Sequence, residues 1–263
     1  MGFNIFNMLG NNEQKNLIPT RDPLSPTGSE FSEKHINSVE PNRELDILNE
    51  LINGNLPEFL RNFSTINVKD SKNTLTYLVM PDYLSIGTND NYIRMPMNPL
   101  TAQQIANKFD CLLPTPKMVY QIWEQSVNKL VPLPWGPPYN SDMLKTHRII
   151  THNLRIQQQL KDKDPFQLTS GHKKDIVLTN RLSPKNIMQK VAIYGWIQLN
   201  GKPIQPLNPK DHEITYKDYS HGVRLIAQDV VLNGKPARLE QILQDKNLSY
   251  LVSDDTPLNF TRY

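Results

Sequence analysis

From residue 43 onward, apolar positions recur in patterns that predict defined elements. Leu45, Leu48, Leu51 and Ile52 mark one face of a helix, which Gly54 stops. Leu56, Phe59, Leu60 and Phe63 predict a short second helix, with Pro57 in its first turn. The pattern then turns extended. Residues 74–80 (TLTYLVM) predict a strand ended by Pro81 and Asp82. Residues 83–87 and 91–95 predict two short strands around the turn Thr88-Asn89-Asp90.

Two helix starts follow, because Asn and Thr cap helices well and proline suits the first helical position. Asn98-Pro99 opens a helix whose inner face is Ala102, Ile105, Ala106 and Phe109. Thr115-Pro116 opens another that buries Val119, Tyr120, Ile122, Trp123 and Val127. Residues 131–139 (VPLPWGPPY) form an extended proline-rich connector, with Trp135 as a lid over the core. Residues 142–160 hold a more polar helix with Leu144, Ile149, His152 and Leu154 inward. Thereafter 176–179, 191–199, 202–207 and 223–232 read as strands, returning through 235–238 to a short helix at 239–244. Asn200-Gly201 and Asn233-Gly234 are two-residue hairpin signals. The expectation is an α+β fold: a helical N-terminal half with a small sheet, then a mostly antiparallel C-terminal sheet, in one compact domain over 43–263.

Residues 1–42 differ from the rest. Pro19, Pro23, Pro26 and Pro41 stand among Asn, Ser, Thr and charges, a mixture that cannot offset its ordering entropy alone. The segment reads as a disordered or partner-docking tail. Its apolar start (Phe3, Ile5, Phe6, Met8, Leu9) is the part suited to a protein partner.

Composition narrows the function classes. The chain has 263 residues, 29 Lys and Arg against 26 Asp and Glu, and hence a formal charge of +3. That is too little to imply a nucleic-acid partner. The single cysteine, Cys111, excludes an internal disulfide and a cysteine-based zinc site. No apolar run has the length of a membrane span. The N-terminus lacks the basic region of a secretory signal, and Phe6 stands where a myristoylation motif has Ser or Thr. The default location is the cytoplasm, with leaderless export or packaging in a particle as alternatives. No cofactor is indicated.

Candidate chemistry sits in two polar segments that each run into a strand. The first is Thr169-Ser170-Gly171-His172-Lys173-Lys174-Asp175; the second runs from Tyr216 to Arg224. Each carries a histidine, a glycine and an acid. Histidine serves as base, acid or metal ligand near neutrality, and loops at strand ends commonly hold such groups. The expected catalytic set is His172, oriented by Asp175, with Ser220 and His221 from a facing strand. His172, Asp175 and His221 also suit a divalent metal, and both histidines also suit hydrogen-bonded turns. Tyr194, Trp196, Tyr216 and Tyr219 are candidates for a groove that holds sugar or peptide, and Arg224 for binding a carboxylate or oxyanion. Lys173-Lys174 reads as a solvated edge. Cys111 reads as a buried small hydrophobe, although its spacing from His172 also suits a Cys-His hydrolase. His147 and His152 do not share a helical face. His35 falls in the tail and His212 in a loop.

Ser220-His221-Gly222-Val223-Arg224-Leu225 resembles the Ser-His-Gly-Cys-x-Arg signature of L,D-transpeptidases, which cross-link peptidoglycan. The downstream acid, strand and Gly-Lys-Pro turn (Asp229 to Pro236) are also similar. The family's nucleophilic cysteine is missing between Gly222 and Val223, and its upstream histidine has only His212 as a counterpart. The chain from about residue 43 also resembles a bacterial and phage protein family that shares the GHKKD, YGW and DYSHG blocks, a likeness that implies no particular activity. The first functional expectation is therefore a hydrolase or acyl-transfer enzyme acting on peptidoglycan. The second is a non-enzymatic binding or particle-associated protein that docks through residues 1–42.

Overall fold

The computed structural model describes residues 17–37, 42–136, 141–182, 189–255 and 257–263. The segment assigned to a tail is ordered where it is described. Thr27 caps α1 (Gly28–Lys34) through a capping box: its side chain accepts from the backbone of Glu30, whose carboxylate accepts from the Thr27 N–H at 2.8 Å. Ile18, Phe31 and His35 are buried, and Gly28 N–H donates to Asn91 at 2.9 Å. His35 packs its ring on Phe31 and reaches Asp46 at 3.2 Å. Burial of Ile18 and Phe31 on the body offsets the entropy that argued for a tail. The apolar start at residues 3–9 and Pro41 lie outside the described residues.

α2 (Asn42–Ile52) forms as expected, but its inner face is rotated. Ile47 and Leu51 are buried beside Arg43 and Glu44, and Leu45 is exposed. Glu44 is drawn inward by a 2.7 Å ion pair with the buried Lys217. The expected second helix is a single 3-10 turn, Glu58–Arg61. Arg61 is buried there and donates to the carbonyls of Leu56, Gly54 and Pro19. β1 (Ser64–Lys69) follows unannounced by the apolar pattern.

β2 (Thr74–Val79), β3 (Ser85–Gly87) and β4 (Tyr92–Arg94) lie where the pattern puts strands. Asn98 caps α3 (Pro99–Lys108) by accepting from Thr101 N–H at 2.9 Å, and Ala102, Ile105, Ala106 and Phe109 are fully buried. β5 (Cys111–Leu112) leads to α4 (Pro116–Gln125), capped by Thr115 on Met118 N–H at 3.2 Å. Tyr120 and Val127, expected inside, are exposed, as are Leu144 and Leu154 further on. β6 (Asn128–Lys129), α5 (Thr146–Leu160), β7 (Thr169–Ser170), β8 (Lys174–Ile176), β9 (Ile193–Ile197), β10 (Pro203–Asn208), β11 (His221–Gly222), β12 (Ile226–Leu232), β13 (Lys235–Arg238) and α6 (Leu239–Gln244) complete the chain.

The fold is α+β in a single domain with antiparallel sheets. One sheet runs β1-β2-β12-β13, with β5 also on β12, so its centre joins a strand from each half of the chain. The second runs β10-β9-β8-β11, antiparallel except between β8 and β11. Asn233-Gly234 makes the expected two-residue turn: both residues have positive φ (51° and 77°), and Leu232 pairs with Lys235. Asn200-Gly201 instead lies in a longer loop, where Gly201 (φ 83°) donates to Gln198 at 2.9 Å and Ile197 pairs with Pro203.

The α1 strap depends on a close backbone approach. A Cβ at Gly28 would lie 2.6 Å from the Tyr92 carbonyl carbon. Gly28→Ala is expected to cost about 1–3 kcal/mol as an overpacked contact. A lowered denaturant midpoint and faster proteolytic cleavage within residues 17–37 would report it. An unchanged midpoint would show that α1 docks without this contact.

Candidate functional site

The GHKKD, YGW and DYSHG blocks meet in the second sheet. β8 lies between β9 and β11, with His221 opposite Lys174 and Gly222 opposite Asp175. Trp196 N–H donates to Lys173 O, and Lys174 N–H to Ser220 O, both at 2.9 Å. A Cβ on Gly222 would sit 2.6 Å from the Tyr83 ring, so glycine is what allows β11 this close. In β9 the inward–outward alternation breaks: Gly195, Trp196 and Ile197 are all buried. Trp196 has φ 55°, which is uncommon for a bulky residue and costs backbone strain.

His172 is buried (0% exposed), and its Nε2 lies 3.1 Å from Asp82 Oδ1. Asp82, at the end of β2, accepts from Arg94 at 2.5 Å. Arg94 also donates to Asn153 of α5 at 3.1 Å. The acid that orients His172 is therefore Asp82 and not Asp175. Asp175 Oδ2 instead accepts from Tyr83 at 2.8 Å. Burial pushes the Asp175 carboxyl up to about 7, with Arg224 and Tyr83 opposing only in part. Burial disfavours the charge of Asp82 too, but Arg94 and His172 outweigh it and hold that carboxyl well below its usual range. Burial lowers His172 to about 4.

His221, also 0% exposed, belongs to a different carboxylate. Its neighbours are Asp218, which acts on it electrostatically, and Tyr216, whose ring meets it edge-on at 5.4 Å. Asp218 receives the Ser220 hydroxyl, the Ser220 N–H at 2.7 Å, the Tyr216 hydroxyl at 3.1 Å and Lys174 Nζ at 3.3 Å. His221, Lys174 and these donors outweigh burial and hold Asp218 ionised. Burial lowers His221 to about 4. His212 stacks on Tyr216 at 3.9 Å and 6°. The nine-residue offset between His212 and His221 thus brings both imidazoles against one tyrosine. His172 and His221 sit against separate acids, and the single pocket of the expected set does not form around them.

The expected aromatic groove divides. Trp196 and Tyr219 are buried with His152 beside the partly buried Trp135, and ring centroids within this group lie 4.7–6.4 Å apart. Trp135 N–H donates to the Tyr219 hydroxyl at 2.7 Å, and its partly buried ring packs against the core. Tyr194 stands half-buried in a surface pocket with Tyr120. Arg224 is buried and spends its donors on the carbonyls of Met80 (2.8 Å) and Thr169 (2.6 Å), where it ties two strand ends rather than awaiting an anion. Lys173 is buried as well. It donates to Tyr219 O at 2.7 Å, and burial, then Arg94, lower its amine to about 7. Cys111 is buried and its thiol is pushed up by burial, the opposite of a reactive thiolate.

The polar centre is not internally satisfied. Among the described residues, both nitrogens of His152 and of His221, Nδ1 of His172 and Oδ1 of Asp175 are buried without a hydrogen-bond partner. Native cores leave few such groups. A cavity of about 10 Å³ lies among Ser170, Lys173, Asp175, Trp196 and Arg224, roughly the room one water needs. Among the described residues no group of His, Cys, Asp and Glu is arranged to hold a metal ion. The sequence pattern did not single out Asp82 and Arg94. Pro81-Asp82 reads as a strand stop, and Arg94 reads as an ordinary strand position. Only the fold brings them to His172.

The histidines carry a pH signature. A group whose folded pKa lies below its unfolded value of about 6.5 stabilises fully above that value and loses the contribution as pH falls toward the folded one. His172 and His221 therefore make the protein less stable from pH 6.5 down to about 4. Asp175, raised to about 7, acts in the opposite direction over the same range. His221→Gln is expected to reduce the slope of unfolding free energy against pH by up to about 1.4 kcal/mol per pH unit in that window. Denaturant titrations at several pH values measure it, and an unchanged slope would mean that His221 titrates normally. Comparison of the chain with protein-family models, curated proteins and solved structures finds no match among them.

Proposed function

We propose that this chain is an enzyme of hydrolysis or acyl transfer, working by general acid–base catalysis at the centre where the three blocks meet. One observation carries the reading: His221, neither of whose ring nitrogens has a hydrogen-bond partner among the described residues, is buried beside Asp218, a carboxylate held ionised. A structural network would be satisfied, since each orphaned buried group costs about 1–3 kcal/mol. A neutral imidazole with a free nitrogen can instead take and return a proton. In this reading His221 accepts the proton of an attacking hydroxyl or water and returns it to the leaving group. Asp218 is a positioning residue, because it acts through His221 and Ser220. The ion pair Asp82–Arg94 and His172 form the rigid support behind them. Tyr216 and His212, partly exposed, mark the side from which substrate would approach. Peptidoglycan is the first substrate to test, because of the resemblance of Ser220–Leu225 to the transpeptidase signature.

Purified sacculi incubated with the protein are expected to release soluble fragments or show altered cross-linking. His221→Ala and Asp218→Asn are expected to slow this about 10²–10⁴-fold, the usual worth of a positioned acid–base group. Circular dichroism and melting curves would establish that the variants fold. Activity that survives both substitutions in folded protein would overturn the assignment.

A second reading keeps support from one feature: both histidines are 0% exposed. In that reading the polar centre is structural and the chain is a binding or particle-associated protein. Sacculus or partner binding without turnover at any pH would favour it.

A further inference from the structure

The surface pocket that contains Tyr194 lies apart from the polar centre. Its volume is about 360 Å³, within the range of small-molecule sites. Tyr120, on α4, and Tyr194, on β9, contribute two phenol rings, and neither hydroxyl has a hydrogen-bond partner among the described residues. Leu207 of β10 and Pro116 add apolar wall. At the rim stand two cations and two anions. Lys117 pairs with Asp254 at 3.2 Å and also donates to Tyr250 O at 2.6 Å, and Arg181 lies 3.9 Å from Asp255. The Arg181 and Asp254 side chains are 63% and 76% exposed, so both present groups to solvent.

We infer that this pocket binds an uncharged saccharide. The rim charges cancel, so a charged ligand would meet one repulsive group for each attractive one. A neutral polyol can donate to Asp254 and accept from Arg181 at once, without displacing either from its pair. The C–H face of a sugar ring suits the phenol rings that line the pocket, and their hydroxyls add donors beside it. Tyr194 and Tyr120 are the residues that bind. The inference stands independently of the acid–base reading, since the pocket shares no residue with that centre.

The full chain would be titrated by calorimetry and by NMR with the N-acetylglucosamine tetramer, with a neutral glucose tetramer, and with adenosine monophosphate as a charged, aromatic contrast. Saturable binding of one or both neutral oligosaccharides is expected. Tyr194→Ala and Tyr120→Ala should each weaken it about tenfold, the scale of one aromatic contact. Tyr194→Phe, which keeps the ring, should change it by less than about threefold. His221→Gln should leave it unchanged, which separates the two sites. No oligosaccharide binding, binding indifferent to both alanine substitutions, or preference for the charged nucleotide would each overturn the inference.

Discussion

Asp82, Arg94 and His172 hold the centre of the molecule together. Asp82 closes β2, Arg94 ends β4, His172 precedes β8, and Asn153 of α5 takes a further arginine donor. One buried ion pair therefore joins the main sheet, the β3–β4 hairpin, a helix and the second sheet. Its net worth to stability is small, because the attraction is offset by the loss of hydration. Its removal is another matter: a single lost partner would leave a buried charge alone, at about 3–5 kcal/mol.

Around this support the protein carries costs that a core alone would not. Trp196 holds a left-handed backbone conformation, Lys173 is buried, and imidazole nitrogens stay unpaired. Trp196, Lys173, His172 and His221 lie on β8, β9 and β11 or beside them, and His152 reaches Trp196 from α5. Tyr216 and His212, beside His221, are partly exposed.

Much of the local structure was legible in the sequence. Asn98-Pro99 and Thr115-Pro116 start helices because capping and proline geometry act within one turn. Asn233-Gly234 makes its turn because both residues tolerate positive φ. The same reasoning failed where distant contacts intervened. Leu45 faces solvent because Glu44 is pulled in by Lys217. Residues 17–37 are ordered because the body offers burial that the segment cannot supply itself. Lys173 is interior because Tyr219 O and the polar centre receive it.

The sequence by itself determined the α+β class and most element positions. Those properties follow from hydrophobic period, caps and turns, all of them interactions between near neighbours. Only the tertiary structure decided the partners: His172 with Asp82, His221 with Asp218, Arg224 with backbone carbonyls, and Tyr194 with Tyr120 away from Trp196. Partner choice depends on which strands lie side by side, and β8 next to β11, like β2 next to β12, is a pairing across long stretches of chain. No local pattern encodes that register. It is set by the collective burial of the two sheets.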